Sequence, residues 1–80
     1  MHEIQIQLRT LDNVQNLVNA LSKFDNDFDL VSGRYIIDAK SFMGILSLDL
    51  NKPVTLCAYA KDEELPAIME ALAPYLYKEG

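Results

Sequence analysis

Glu3-Ile4-Gln5-Ile6-Gln7-Leu8, residues 3–8, alternates polar and apolar side chains without a break. Successive side chains of a strand point to opposite faces, so Ile4, Ile6 and Leu8 share one face and Glu3, Gln5 and Gln7 the other. A strand with one wet face belongs to an antiparallel sheet that is covered on one side only. The rest of the chain must supply the other strands and the cover.

Downstream, Thr10 offers a helix N-cap. Leu11, Val14, Leu17, Val18, Leu21 and Phe24 then recur at helical spacing, which predicts a first helix over 11–24 with one buried stripe. Asp25-Asn26-Asp27 is turn chemistry that ends it. Residues 28–31 and 34–38 are short apolar runs around Ser32-Gly33, the signal of a hairpin. Ser41 is an N-cap for a short, almost wholly apolar second helix over 42–47. Asn51-Lys52-Pro53 is a turn, and 54–60 is a fourth strand with Val54, Leu56 and Ala58 on one face. Asp62 is placed to cap a third helix, whose stripe is Leu65, Ile68, Met69, Leu72 and Leu76. Pro66 falls in the first turn, where its missing N–H matters little; Pro74 falls inside and predicts a kink or an early end. The order β-α-β-β-α-β-α predicts a two-layer α+β domain over 1–80, with helices on one face of a four-stranded antiparallel sheet. A ferredoxin-like βαββαβ sheet with a helix appended has nearly the same element order.

The chain has 80 residues, seven Lys and Arg against twelve Asp and Glu, and a formal net charge of −5. That length holds a single thin-cored domain and leaves no room for a large multi-domain enzyme. Nucleic-acid binding draws on basic faces that neutralise phosphates, and this chain has no basic run; an anionic membrane surface is disfavoured on the same ground. One cysteine, Cys57, allows no intramolecular disulfide, which predicts a reducing compartment. The polar, alternating start is no signal peptide and no apolar run reaches the length of a membrane span, so a cytoplasmic location is expected.

Lys40-Ser41-Phe42-Met43-Gly44-Ile45-Leu46-Ser47-Leu48 resembles the regulatory serine segment of the histidine-containing phosphocarrier protein (HPr) family of the bacterial sugar phosphotransferase system. Ser22-Lys23-Phe24 ahead of the hairpin, and Lys61-Asp62-Glu63-Glu64 ahead of the third helix, fit the same pattern. The resemblance covers nearly the whole chain and implies that family's open-faced β-sandwich, four antiparallel strands with three helices on one face. It also implies partners: proteins that recognise the HPr fold, such as an HPr kinase/phosphorylase or transcriptional regulators.

The family's carrier motif is Gly-apolar-His-Ala-Arg-Pro at the start of the first helix. Counted back without gaps from Ser22-Lys23-Phe24, its histidine falls on Thr10, its arginine on Asp12 and its proline on Asn13. Residues 3–24 contain neither His nor Pro, so a short gap restores nothing. A phosphoryl group passes onward readily from an imidazole nitrogen, whereas a threonine phosphoester is a poor donor, and Asp12 adds like charge beside it. The expectation is a degenerate carrier site at Thr10, Asp12 and Asn13. His2, the only histidine, precedes this region and is a poor candidate for a relocated carrier. Ser41 matches the serine that the family's ATP-dependent kinase modifies; it would also cap its helix whether or not it is ever phosphorylated.

Phe42, Met43, Ile45 and Leu46 cannot all face the core of one short helix. Phe42, Ile45 and Leu46 are therefore expected on the partner-binding surface that the resemblance implies here, the alternative being that most of them fill the core. Asp25, Asn26, Asp27 and Asp29 lack the spacing of a cation loop and are expected to solvate a helix end. Cys57, in mid-strand with no histidine near it in sequence, is no convincing nucleophile. No Ser-His-Asp arrangement and no Gly-rich phosphate loop is present. No metal, no cofactor and no enzymatic activity are expected, and the protein is expected to be a monomer. The leading expectation is a regulatory or binding protein of HPr type. The alternatives are a phosphocarrier using a non-standard site and a purely structural interaction module.

Overall fold

The computed structural model describes residues 1–78. Strand β1 (His2–Ile6) leads to helix α1 (Leu11–Leu21), the hairpin β2 (Asp27–Ser32) and β3 (Tyr35–Asp38), helix α2 (Phe42–Ile45), strand β4 (Val54–Tyr59) and helix α3 (Leu65–Leu72). The strands form one antiparallel sheet in the order β1-β4-β2-β3. This order places β4, the last strand in sequence, between the first two.

Register follows side-chain alternation. Ile4 pairs with Leu56 and Leu56 with Leu30, so the apolar row of each strand meets its neighbour's on one face. The core gathers Ile6, Leu8, Phe28, Leu30, Val54, Leu56 and Ala58 from the sheet side and Val14, Leu17, Leu21, Ile45, Ile68 and Leu72 from the helices. Gly33, at φ +61°, forms the hairpin turn in a conformation that side chains disfavour. Gly44 permits close approach instead: a Cβ there would stand 2.8 Å from Ile37 Cγ2, so only glycine lets α2 settle on β3 in this geometry.

Several expectations need correction. Leu11, expected in the buried stripe of α1, is 60% exposed, because the stripe proper is Val14, Leu17 and Leu21. Helix α1 ends at Leu21, and Phe24 folds back through an N–H bond to the Leu21 carbonyl to pack beside Phe28. Asp62 does not cap α3. A single 3₁₀ turn, Asp62–Glu64, precedes that helix and starts from Lys61. Helix α3 stops at Leu72, ahead of Pro74, as the position of that proline predicts, and the chain continues in a second 3₁₀ turn, Ala73–Tyr75. Leu76 lies beyond the helix and bridges Ile6, which covers the outer edge of β1. No helix among the described residues is long and apolar enough to cross a membrane.

The turn before α3 makes a pH prediction. The Glu64 carboxylate accepts the Lys61 backbone N–H at 2.8 Å and is also bonded by the Asn26 side-chain amide. These donors, the Lys61 amide foremost, hold its pKa below the usual carboxylate value. A depressed folded-state pKa stabilises the fold above the unfolded value, and that contribution is lost as pH falls through the folded one. Glu64→Gln is therefore expected to lower Tm near neutrality and to flatten its fall between about pH 5 and pH 3. Thermal melts of both proteins across that range check it. Parallel curves would sink the assignment.

Candidate functional site

The N-terminus of α1 is built by a sharp turn. Arg9 sits at φ +72°, and Thr10 N–H bonds back across it to the Leu8 carbonyl at 2.9 Å. The Arg9 N–H donates to the Leu50 carbonyl at 2.9 Å, which ties this turn to the segment before β4. Thr10 is the N-cap: its extended backbone (φ −126°, ψ 159°) aims the hydroxyl at the helix, where it accepts the Asn13 N–H at 3.1 Å. The Asn13 side-chain amide donates to the Leu8 carbonyl at 2.6 Å. Asp12 is exposed in the first turn, the favourable end of the helix dipole for an acid.

Thr10, Asp12 and Asn13 are thus brought together, and each has a structural task that needs no ligand. Sequence reasoning missed Arg9. It precedes Thr10 in the chain, and its Nη2 donates to Gln7 Oε1 at 2.9 Å. The Gln7 amide in turn bonds the Asn51 carbonyl. Nothing in the sequence signals this, because a positive φ is uncommon for arginine.

His2 lies at the other end of β1. Its Nε2 is 3.1 Å from Asp62 Oδ1, beside the turn that starts α3. The length of β1 separates it from Thr10.

Ser41 caps α2, its hydroxyl accepting the Gly44 N–H at 3.2 Å and its own N–H donating to the Asp38 carbonyl at 3.0 Å. The neighbouring cation is held elsewhere: Lys40 Nζ donates to the Phe24 carbonyl at 2.7 Å and lies 5.7 Å from the Phe28 ring centroid. Of the three residues expected on a partner-binding surface, Ile45 requires correction. It is wholly buried, because in a helix of one turn the position that meets α1 and the sheet is filled by it. Phe42 and Leu46 are half-buried against the core. The exposed apolar residue of α2 is Met43, at 75%.

The remaining clusters are held by internal bonds. Asn26 turns its amide to Glu64 and the Tyr59 carbonyl. Asp29 accepts the Tyr59 hydroxyl at 3.0 Å on the open face of the sheet, which raises the Tyr59 pKa. Cys57 is buried among the side chains of that face, and burial first, then Glu3 and Asp29, push its thiol pKa up and disfavour the nucleophilic thiolate.

Residues 12–78 match the family model described as "PTS HPr component phosphorylation site". That match begins two residues after Thr10. The fold is similar to that of HPr-C-His from Thermoanaerobacter tengcongensis, with a TM-score of 0.73 and 30% identity over 92% of this chain and 89% of that one. It is also similar to the phosphocarrier protein HPr of Bacillus anthracis str. Ames, with a TM-score of 0.69 and 26% identity over 95% of this chain and 94% of that one. The ferredoxin-like alternative is thereby set aside. An antiparallel sheet in the order β1-β4-β2-β3, three helices on one of its faces, and a family match over most of the chain make this protein a member of the HPr phosphocarrier family of the phosphotransferase system.

Proposed function

We propose that this HPr-family protein does not carry phosphate from the start of α1 and instead acts by binding proteins that recognise the HPr fold. Its switch is phosphorylation of Ser41. One observation carries the reading: the α1 N-terminus presents a capping threonine and an acid, while the only histidine stands 3.1 Å from Asp62 at the far end of β1. A hydroxyl that already accepts a backbone N–H can still be esterified, but the ester is a poor phosphoryl donor. A phosphate on Ser41 would stand at the α2 N-terminus, where backbone N–H groups favour negative charge and the helix need not unfold. The docking face would comprise the half-buried Phe42 and Leu46 together with the exposed Met43 and Leu11.

Two incubations test this. With ATP and an HPr kinase, intact mass and peptide mapping are expected to find one phosphate, on Ser41. No addition, while an authentic carrier protein is modified in parallel, overturns the switch. With phosphoenolpyruvate and the donor enzymes of the phosphotransferase system, no acid-labile phosphate is expected. A stoichiometric label on His2 would establish a phosphocarrier with a displaced site and overturn the binding-only reading.

A further inference from the structure

The two edges of the sheet are treated differently. On the β1 side the chain covers its own edge: the Gln7 N–H donates to the Tyr75 carbonyl at 2.8 Å and the Tyr77 N–H to the Gln5 carbonyl at 2.9 Å. On the β3 side, among the described residues, no strand pairs with the outer edge. Natural edges are blunted with lysine, proline, bulges or a covering segment. Strand β3, Tyr35-Ile36-Ile37-Asp38, is protected only by being four residues long and by the charge of Asp38; it has no lysine, proline, bulge or covering segment, and Tyr35 and Ile36 are 66% and 70% exposed.

Hydrogen-bond alternation tells which groups face outward. The loop Gly33-Arg34 has two residues, so Ser32 and Tyr35 form the closing hydrogen-bonded pair. The next pair, Val31 and Ile36, is then non-hydrogen-bonded, which turns the N–H and C=O of Ile36 away from β2. The same alternation turns the Asp38 N–H outward, while its carbonyl is taken by the Ser41 N–H.

We infer that β3 pairs antiparallel with β3 of a second copy of this chain, about a two-fold axis at Ile36. This register follows from charge. With Ile36 opposite Ile36, Arg34 falls opposite Asp38 of the second copy, and symmetry repeats the pair. The outward N–H and C=O of Ile36 bond their counterparts twice, and the Asp38 N–H meets the Arg34 carbonyl twice. Tyr35 falls opposite Ile37 of the second copy on the helix-bearing face. Both exposed apolar side chains of β3 are thereby covered. A basic peptide could meet the acids of the open face, but it would leave Arg34 facing like charge; a second copy pairs it. The contact is one short strand wide, so it belongs to the weak, transient class and forms at about 0.1–1 mM. The monomer expected from the sequence is its dilute form.

Sedimentation equilibrium from about 0.02 to 1 mM tests this, in the concentration range of that weak class. The weight-average mass is expected to rise toward that of a dimer. Ile36→Lys is expected to raise Kd at least tenfold at unchanged Tm, since the side chain is exposed. Arg34→Glu and Asp38→Lys are each expected to be monomeric alone, and their equimolar mixture to associate, since every pair across that interface again has opposite charge. A mass that stays monomeric at 1 mM overturns the proposal. So does an Ile36→Lys variant that associates like the parent, or a mixture no larger than its components. None of these readouts depends on phosphorylation of Ser41, so the two ideas fail separately.

Discussion

Phe28→Ala is expected to remove about 3–5 kcal/mol of folding stability, the range for deleting a buried aromatic ring. A domain of this length commonly has only about 5–10 kcal/mol in total. Phe28 is 1% exposed, in β2, where its side chain points into the helix-covered face. Phe24 packs on it edge-to-face, with centroids 6.1 Å apart and planes at 73°, and Lys40 Nζ approaches its face. Edge-to-face pairs add about 0.5–1.5 kcal/mol beyond area, and the cation adds less at a partly wet site. Loss of the ring therefore leaves a cavity and also unseats Phe24 and Lys40, the residues that close α1 and lead into α2. Urea unfolding is expected to show a lower midpoint with an unchanged m-value. Phe28→Leu is expected to retain roughly half the stability that alanine loses, because it refills most of the volume. A cost below about 1 kcal/mol for Phe28→Ala would contradict the packing described, since that is the scale of an ordinary surface change.

The elements that recur over several turns or pleats are legible in the amino-acid order itself. Residues 3–8 read as a one-sided strand, and Leu30, Leu56 and Ile6 do share the covered face. Thr10 and Ser41 cap the helices they precede. What sequence reasoning misses depends on contacts far away along the chain. A helix of one turn has no periodicity to reveal that Ile45, rather than Phe42, points inward; the sheet and α1 decide that. Pro74 marks the end of α3, but the pairing of Leu76 with Ile6 joins residues from opposite ends of the chain, and no local pattern encodes it. Asp62 looks like a cap because acids favour that place, yet the capping bond is supplied from the other side, by Glu64 reaching back to Lys61. At the carrier end, the identities of Thr10, Asp12 and Asn13 are plain. The turn that leads into them is not, because Arg9 adopts a left-handed conformation that its residue type does not advertise.

Thr10→His combined with Asp12→Arg is expected to take up to one equivalent of acid-labile phosphate from the phosphoenolpyruvate-driven enzymes, where the parent chain is expected to take none. Local chemistry on a retained fold decides the outcome. The imidazole supplies a nitrogen nucleophile whose phosphoryl bond is labile enough to pass the group on. The free N–H groups of the first turn of α1 would hold the phosphoryl oxygens, since a helix N-terminus favours an anion. Exchanging an exposed acid for a cation beside that dianion is worth on the order of 1–2 kcal/mol, or about tenfold in rate. Thr10→His alone should therefore label about ten times more slowly than the pair, and Asp12→Arg alone not at all. Loss of the threonine cap costs about 1 kcal/mol, and an arginine at the positive end of the helix dipole costs a few tenths more. All three variants should thus remain folded, which a thermal melt confirms independently of labelling. Neither substitution touches Arg9, which keeps its bond to Gln7. If the folded double variant takes no phosphate, the missing imidazole is not what bars transfer. The barrier would then lie in the docking face proposed for Leu11, Phe42, Met43 and Leu46, of which the exposed Leu11 directly follows position 10 on the first turn of α1.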